Sequence, residues 1–191
     1  VHAREAIARR FHAHAQRVLV PVAQGAFALG HGDEPIPGYR LTKMVGRGGV
    51  GETWRACGPG GVDVALKIIR TERFSPDTLA RALKRFDREA KMVALLEHPA
   101  IVPVYDFGEE EGQPYIVMRY LSGGSLAERI QKGAIPLNEV VKTISRLAPA
   151  LDAAHAKGII HRDLKPGNIL FDQYDNAFLS DFGIAHLTQT S

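Results

Sequence analysis

Along the chain, the repeat of apolar positions changes where one kind of element gives way to another. Ile7, Phe11, Ala15, Val18 and Val22 recur at steps of three and four, the period of a helix with one apolar face. This spacing predicts an amphipathic helix over residues 3–19, inside an N-terminal extension of residues 1–30. Residues 31–38 contain Gly32, Pro35, Pro37 and Gly38, which suit neither helix nor strand, and read as a linker. From Tyr39 the period becomes two. Tyr39, Leu41, Lys43 and Val45 fall on one face of a strand, glycines intervene, and Glu52 to Ala56 resumes an extended run. Val62, Val64, Leu66 and Ile68 share one face of a third strand, and Asp63, Ala65, Lys67 and Ile69 share the other. Ser75-Pro76 opens a long helix, with serine as its cap and proline at its first position, running to about Leu96. Val102 to Phe107 and Tyr115 to Arg119 give two more strands around the acidic turn Glu109-Glu110-Glu111-Gly112. Beyond Ser122-Gly123-Gly124 the chain turns helical. A short helix is expected near Ser125 to Gln131, and a longer one from Asn138 to about Lys157, striped by Val141, Ile144, Leu147, Leu151 and Ala154. The pattern is α+β: five strands and one helix over residues 39–118, then a mainly helical part over 119–191.

One polar residue stands where the pattern would place an apolar one. In the long helix Ala82, Phe86, Glu89, Val93 and Leu96 form a single stripe, so the Glu89 carboxylate lies within an apolar face. A buried, unpaired carboxylate would cost several kcal/mol, and Lys67 on the third strand is the cation expected to meet it. The run Gly46-Arg47-Gly48-Gly49-Val50-Gly51 lacks the side chains that would keep a phosphate away from backbone NH groups. By itself this run also fits a plain hairpin tip or a dinucleotide-binding turn. The extended residues that follow it, Glu52-Thr53-Trp54-Arg55-Ala56, favour a hairpin over a turn leading into a helix.

Further on, His161-Arg162-Asp163-Leu164-Lys165-Pro166-Gly167-Asn168 and Asp181-Phe182-Gly183 set carboxylates, a lysine and an amide close together. With the glycine run and Val64-Ala65-Leu66-Lys67, this order of motifs resembles a protein kinase, specifically a bacterial, Hanks-type serine/threonine kinase. The resemblance implies a bilobal kinase-like fold and the use of ATP and Mg2+. Asp163 would take or orient the proton of the attacking hydroxyl, Lys165 would offset charge on the transferred phosphoryl group, and Asn168 and Asp181 would hold magnesium. Lys67, paired with Glu89, would reach the phosphates. The nucleotide would meet Val45, the glycine run (Gly46, Arg47, Gly48, Gly49, Val50 and Gly51), Thr53, Ala65 and Met118. It would also meet the backbone of Arg119 and Leu121, Ser125 at the ribose, and Leu170 beneath the adenine. His161 and Phe182 would pack the loop. Lysine at 165 implies serine or threonine hydroxyls of proteins as acceptors. Arg162 beside the base implies control through a phosphorylated segment, with Thr188, Thr190 and Ser191 as candidate sites. Thr53 departs from the family's usual valine, keeping the shape and adding a hydroxyl. No Ala-Pro-Glu segment follows, so the resemblance implies a chain cut within the activation segment and weak or absent activity for these residues alone. The alternative expectation is a short nucleotide-binding or regulatory module that transfers nothing.

Composition narrows the setting. With 191 residues, 45% of them hydrophobic, the chain is long enough to bury a sizeable core. Its net charge of +3, from 24 basic and 21 acidic residues spread without blocks, gives no reason to expect nucleic-acid binding. A single cysteine, Cys57, excludes an internal disulfide and fits a reducing cytoplasm. No run reaches the roughly 18 apolar residues a membrane-spanning helix needs. Val18 to Leu29, preceded by arginines, has a secretory-signal outline, but Pro21, Gln24 and Gly25 break its apolar run.

Overall fold

The computed structural model describes residues 29–71 and 75–182. The helix expected over 3–19 and the candidate sites Thr188, Thr190 and Ser191 lie outside the described residues. The chain forms two compact units. One comprises the described residues up to Asp87 together with Val104–Tyr120, and the other Arg88–Pro103 with the described residues from Leu121 onward.

In the first unit β1 (Arg40–Arg47), β2 (Gly51–Cys57), β3 (Asp63–Ile69), β4 (Val104–Glu110) and β5 (Gln113–Arg119) form one sheet in the order β1-β2-β3-β5-β4. Every pairing is antiparallel. Alternation sends Trp54, Ala56, Val64, Leu66, Ile68, Tyr115 and Val117 to one face, where with Leu41 and Tyr39 they make the core. Each large apolar side chain among them contributes about 1.5–3 kcal/mol by leaving water. The strict alternation expected of β1 fails. Its register against β2 slips between Leu41 and Lys43 and again between Met44 and Gly46, so Leu41 and Met44 turn toward the core while Val45 is half exposed. The Gly/Pro segment 31–38 forms turns, as its composition implies, but it is also built into the first unit. Ile36 is buried in the core, and Leu41 N–H donates to Asp33 O at 2.8 Å. The β4–β5 turn is tighter than expected: Glu111 and Gly112 are both left-handed, the geometry of a two-residue hairpin turn, so Glu109 and Glu110 lie within β4.

Helix α1 (Pro76–Ala94) carries residues of both units and ends two residues before the expected Leu96. Phe86, Glu89 and Leu96 on its stripe are buried. In the second unit α2 (Leu126–Gln131) starts from a capping box, in which Ser125 Oγ accepts from Glu128 N–H while the Glu128 carboxylate accepts from Ser125 N–H. Helix α3 (Leu137–Ala156) buries only the C-terminal half of its apolar stripe. Leu147, Ala150 and Ala154 join Ala100, Ile101, Phe171, Leu179 and Phe182 in a second core, whereas Leu137, Val141 and Ile144 are exposed among the described residues. Strands β6 (Ile169–Phe171) and β7 (Ala177–Leu179) form a small hairpin. Arg146 of α3 fixes that hairpin from outside by donating to Ala177 O at 2.8 Å and to Pro99 O at 2.7 Å. Leu179 completes the attachment, its N–H donating to Ala100 O and its carbonyl accepting from Val102 N–H. No helix among the described residues is long and apolar enough to cross a membrane.

Candidate active site

The first unit presents one row of sequence-predicted residues on the sheet face opposite its core. Register places Thr53 against Gly46 on one side and Lys67 on the other, and Ala65 against Met118. Val45 and Arg119 sit near the ends of β1 and β5 respectively. The glycine run forms the β1–β2 turn, closed by Gly48 N–H to Gly51 O and by Arg70 N–H to Val50 O, both at 2.9 Å. Its glycines serve two different ends, and none of them needs a left-handed backbone. A Cβ at Gly51 would collide with the Ile68 carbonyl oxygen, so strand packing forbids a side chain there. At Gly46, Gly48 and Gly49 an added Cβ would meet nothing within 4 Å. Protein packing therefore gives no reason for glycine at those three positions, while close approach by a ligand does. The Arg47 side chain turns away from this row to pair with Glu52.

In the second unit the residues from His161 to Asp181 are bound into one web. Asp163 Oδ2 accepts from Lys165 Nζ at 2.6 Å and from Asn168 Nδ2 at 3.0 Å, and the same Nδ2 donates to Asp163 O at 2.8 Å. Lys165 first and Asn168 next hold the Asp163 carboxyl below its ordinary value against partial burial. Oδ1 accepts no hydrogen bond among the described residues and keeps its lone pairs for an incoming donor. Ser180 N–H and Oγ both donate to Asn168 O, at 2.9 and 3.1 Å, which sets Asn168 beside Asp181. Two non-glycine residues here have left-handed backbones, Arg162 (φ 63°) and Asp181 (φ 61°). That conformation costs about 1–3 kcal/mol each and persists only where surrounding bonds over-determine it.

His161 carries no chemistry in this arrangement. Its ring lies against the fully buried Phe182, with centroids 4.5 Å apart. Its Nδ1 accepts from Asp163 N–H at 3.4 Å and its Nε2 donates to Ser180 O at 2.9 Å, a pattern only the neutral Nε2–H tautomer satisfies. Burial lowers its pKa, although the Ser180 bond and the charges of Asp181 and Asp163 oppose that shift. A lowered folded-state value contributes stability above the ordinary pKa of about 6.5 that is lost as pH falls through the folded value. The melting temperature of the full-length protein is accordingly expected to drop between pH 7.5 and 5.5, with a smaller drop in His161→Gln. Calorimetry at both pH values checks this, and equal slopes would contradict it.

Other candidates take defined positions. Ser125 pairs with Leu170 in an isolated bridge, so the predicted ribose and adenine-floor residues are neighbours, and Leu121 is buried in the same unit. Glu89 is buried, with Oε1 3.8 Å from Arg162 Nη1. Neither that contact nor the roles of Ser180 and Arg146 was read from the sequence. For Glu89 the signal was its place in an apolar stripe, whereas serine and arginine at 180 and 146 carry no local signal. As for a metal, the amide of Asn168 spends its NH2 group on Asp163 and retains its oxygen, while Asp181 supplies a carboxylate. Among the described residues no group of three or more His, Cys, Asp or Glu could hold a metal. Magnesium needs no such cage, since it keeps waters and phosphate oxygens and takes only one or two protein oxygens. The donor set fits it.

Comparison with known proteins identifies the family. A family model described as the protein kinase domain matches residues 39–191. The serine/threonine-protein kinase PknE of Mycobacterium tuberculosis is 40% identical over 151 residues, covering 78% of this chain and 26% of that protein. PknD of the same organism is 42% identical over 165 residues, covering 80% of this chain and 24% of that protein. The chain spans about a quarter of the length of these relatives. Among solved structures, a single-substitution mutant of the M. tuberculosis PknI kinase domain matches with a TM-score of 0.72 at 34% identity, covering 86% of this chain and 66% of that one. A five-stranded antiparallel sheet, a loop with Lys165 and Asn168 around the Asp163 carboxylate, and matches over most of the chain lead to one assignment: the chain belongs to the protein kinase family, in its bacterial, Hanks-type serine/threonine branch.

Proposed function

We propose that the protein of which this chain is part transfers the γ-phosphoryl group of Mg-ATP to serine or threonine hydroxyls of proteins. The observation that carries this reading is the convergence of Lys165 and Asn168 on one oxygen of Asp163. It holds the carboxylate ionised and leaves the other oxygen for an acceptor hydroxyl. In the proposed step the hydroxyl oxygen bonds to the γ-phosphorus, the bond to the β–γ bridging oxygen breaks, ADP leaves, and the hydroxyl proton passes to Asp163. Lys165, half exposed and 2.6 Å from that carboxylate, is positioned to meet charge on the moving phosphoryl group. Lys67 would orient the phosphates, with the Glu89 carboxylate as its proposed counter-ion. Asn168 and Asp181 would hold magnesium, which when bound would neutralise charge on the phosphate oxygens. Ala65, Met118, Leu170 and the backbone of Arg119 and Leu121 enclose the adenine, and Ser125 meets the ribose. The cytoplasm, with its ATP and reducing conditions, is the proposed site of action, in keeping with the single free Cys57.

Acceptor identity tests the assignment. Acid hydrolysis of protein labelled by the full-length kinase is expected to yield phosphoserine and phosphothreonine. Phosphotyrosine as the main product would refute the acceptor class.

A further inference from the structure

A charge cluster around a mostly buried carboxylate, with two partly exposed arginines, sits at the foot of the glycine-rich turn, on the sheet face opposite Thr53 and Lys67. Glu52, the second residue of β2, stands directly across from Arg47 on β1 and Ile68 on β3. Directly opposed residues share a face, and so do residues two apart on one strand. Arg47, Glu52, Trp54 and Arg70 are thereby brought together. The Glu52 carboxylate, 13% exposed, receives Arg47 Nη2 at 2.7 Å, Arg70 Nη2 at 3.3 Å and the indole N–H of buried Trp54 at 3.1 Å. Burial raises the Glu52 pKa, but the hydrogen bonds from Trp54 and Arg70 and the charge of Arg47 outweigh it and leave the carboxyl below its ordinary value. Arg70 holds the turn a second time, through its backbone N–H to Val50 O at 2.9 Å. The end of β3, three residues beyond Lys67, is thus tied both to the tip and to the foot of the turn.

We propose that Glu52 is a positioning residue for the nucleotide. By joining Arg47 of the turn to Arg70 at the end of β3, it fixes the height of the glycine backbone relative to Lys67. The inference rests on the reading of the turn as a phosphate cradle. Gly46, Gly48 and Gly49 carry no side chain to set the turn's position, and a Cβ on any of them would meet nothing within 4 Å. Beyond the backbone pairing of β1 with β2 and the closing bond from Gly48 N–H to Gly51 O, the side-chain bonds at the edges of the turn converge on Glu52, and Arg70 adds its backbone bond to Val50 O. Glu52 touches no substrate. Its loss lets the turn rise and weakens ATP binding, while Asp163 and its web in the other unit are untouched.

The test uses the full-length protein and compares wild type, Glu52→Gln and Arg70→Leu by steady-state kinetics with varied Mg-ATP. Both variants are expected to raise KM for ATP about tenfold with kcat changed less than about twofold, the signature of lost ground-state binding. Trp54 supplies a second readout. Its ATP-dependent emission, taken as the difference from Trp54→Phe, is expected in wild type and diminished in Glu52→Gln. Unchanged KM in a folded Glu52→Gln protein, or kcat and KM falling with overall stability, would overturn the proposal. If Glu52→Gln fails to fold, Arg70→Leu decides by the same KM criterion. A wild-type protein showing no saturable Mg-ATP dependence would instead sink the phosphate-cradle reading beneath it.

Discussion

Asp163→Asn is expected to reduce phosphoryl transfer by about 10²–10⁴-fold, the usual contribution of a positioned base, while Mg-ATP still binds. Asparagine matches aspartate in volume and retains an oxygen for Lys165 or Asn168, both of which now donate to Asp163 Oδ2. What disappears is the negative charge and the acceptor at Oδ1. Asp163 is only partly buried, so the substitution leaves no cavity and little folding energy is at stake. Transfer assays alongside calorimetric nucleotide titration separate chemistry from binding. A variant retaining transfer within about tenfold of wild type would remove Asp163 from the base role. A variant losing nucleotide binding to the same extent would mean that Asp163 acts through the bound nucleotide and not on the acceptor.

Gly51→Ala is expected to destabilise the protein by about 1–3 kcal/mol, the range for forcing extra atoms into a packed region. The added methyl would overlap Ile68 O and lie 2.9 Å from Ile68 C, so the clash is with backbone that no side-chain rotation relieves. Strands β2 and β3 must part at the pair nearest the turn, Gly51 against Ile69. Gly48→Ala is the matched control: nothing lies within 4 Å of its new methyl, and reduced freedom of the unfolded chain makes such a change neutral or slightly stabilising. Its cost is expected in ATP affinity. Thermal melts and nucleotide titrations of the two variants should therefore separate, stability falling in the first and affinity in the second. Equal melting temperatures would contradict the division of the glycines into packing and ligand-facing roles.

How far the sequence could be read depended on the range of the interactions involved. Alternation along Val62 to Ile69 located β3 and its faces because period-two burial is local. The stripe through Phe86 and Glu89 revealed a buried carboxylate because helical period is local too. In β1 the two register slips, at Thr42 and Val45, defeated strict alternation, since a bulge depends on the partner strand as well as on its own residues. Helix α3 was located by its stripe, yet the exposure of Val141 and Ile144 depends on what the rest of the molecule places over them. The links that hold the site in place were the least legible. Arg146 reaches Pro99 across 47 residues and Ala177 across 31, and nothing near Arg146 announces either partner. The cluster around Glu52 required a register as well, because Arg70 is 18 residues away and meets Glu52 only once β2 and β3 are aligned. Motifs showed which residues carry the proposed chemistry. The bonds that position them came from topology.

The most direct measurement follows label from ATP to protein, using the full-length protein, magnesium and ATP labelled either at the γ- or at the α-phosphate. Covalent label is expected on protein from the γ-position alone, dependent on magnesium and lost in Asp163→Asn. Saturable Mg-ATP binding with no γ-label on any serine or threonine, by a protein whose Asp163 and Asp181 are intact, would contradict it and identify a nucleotide-binding module in place of a transferase.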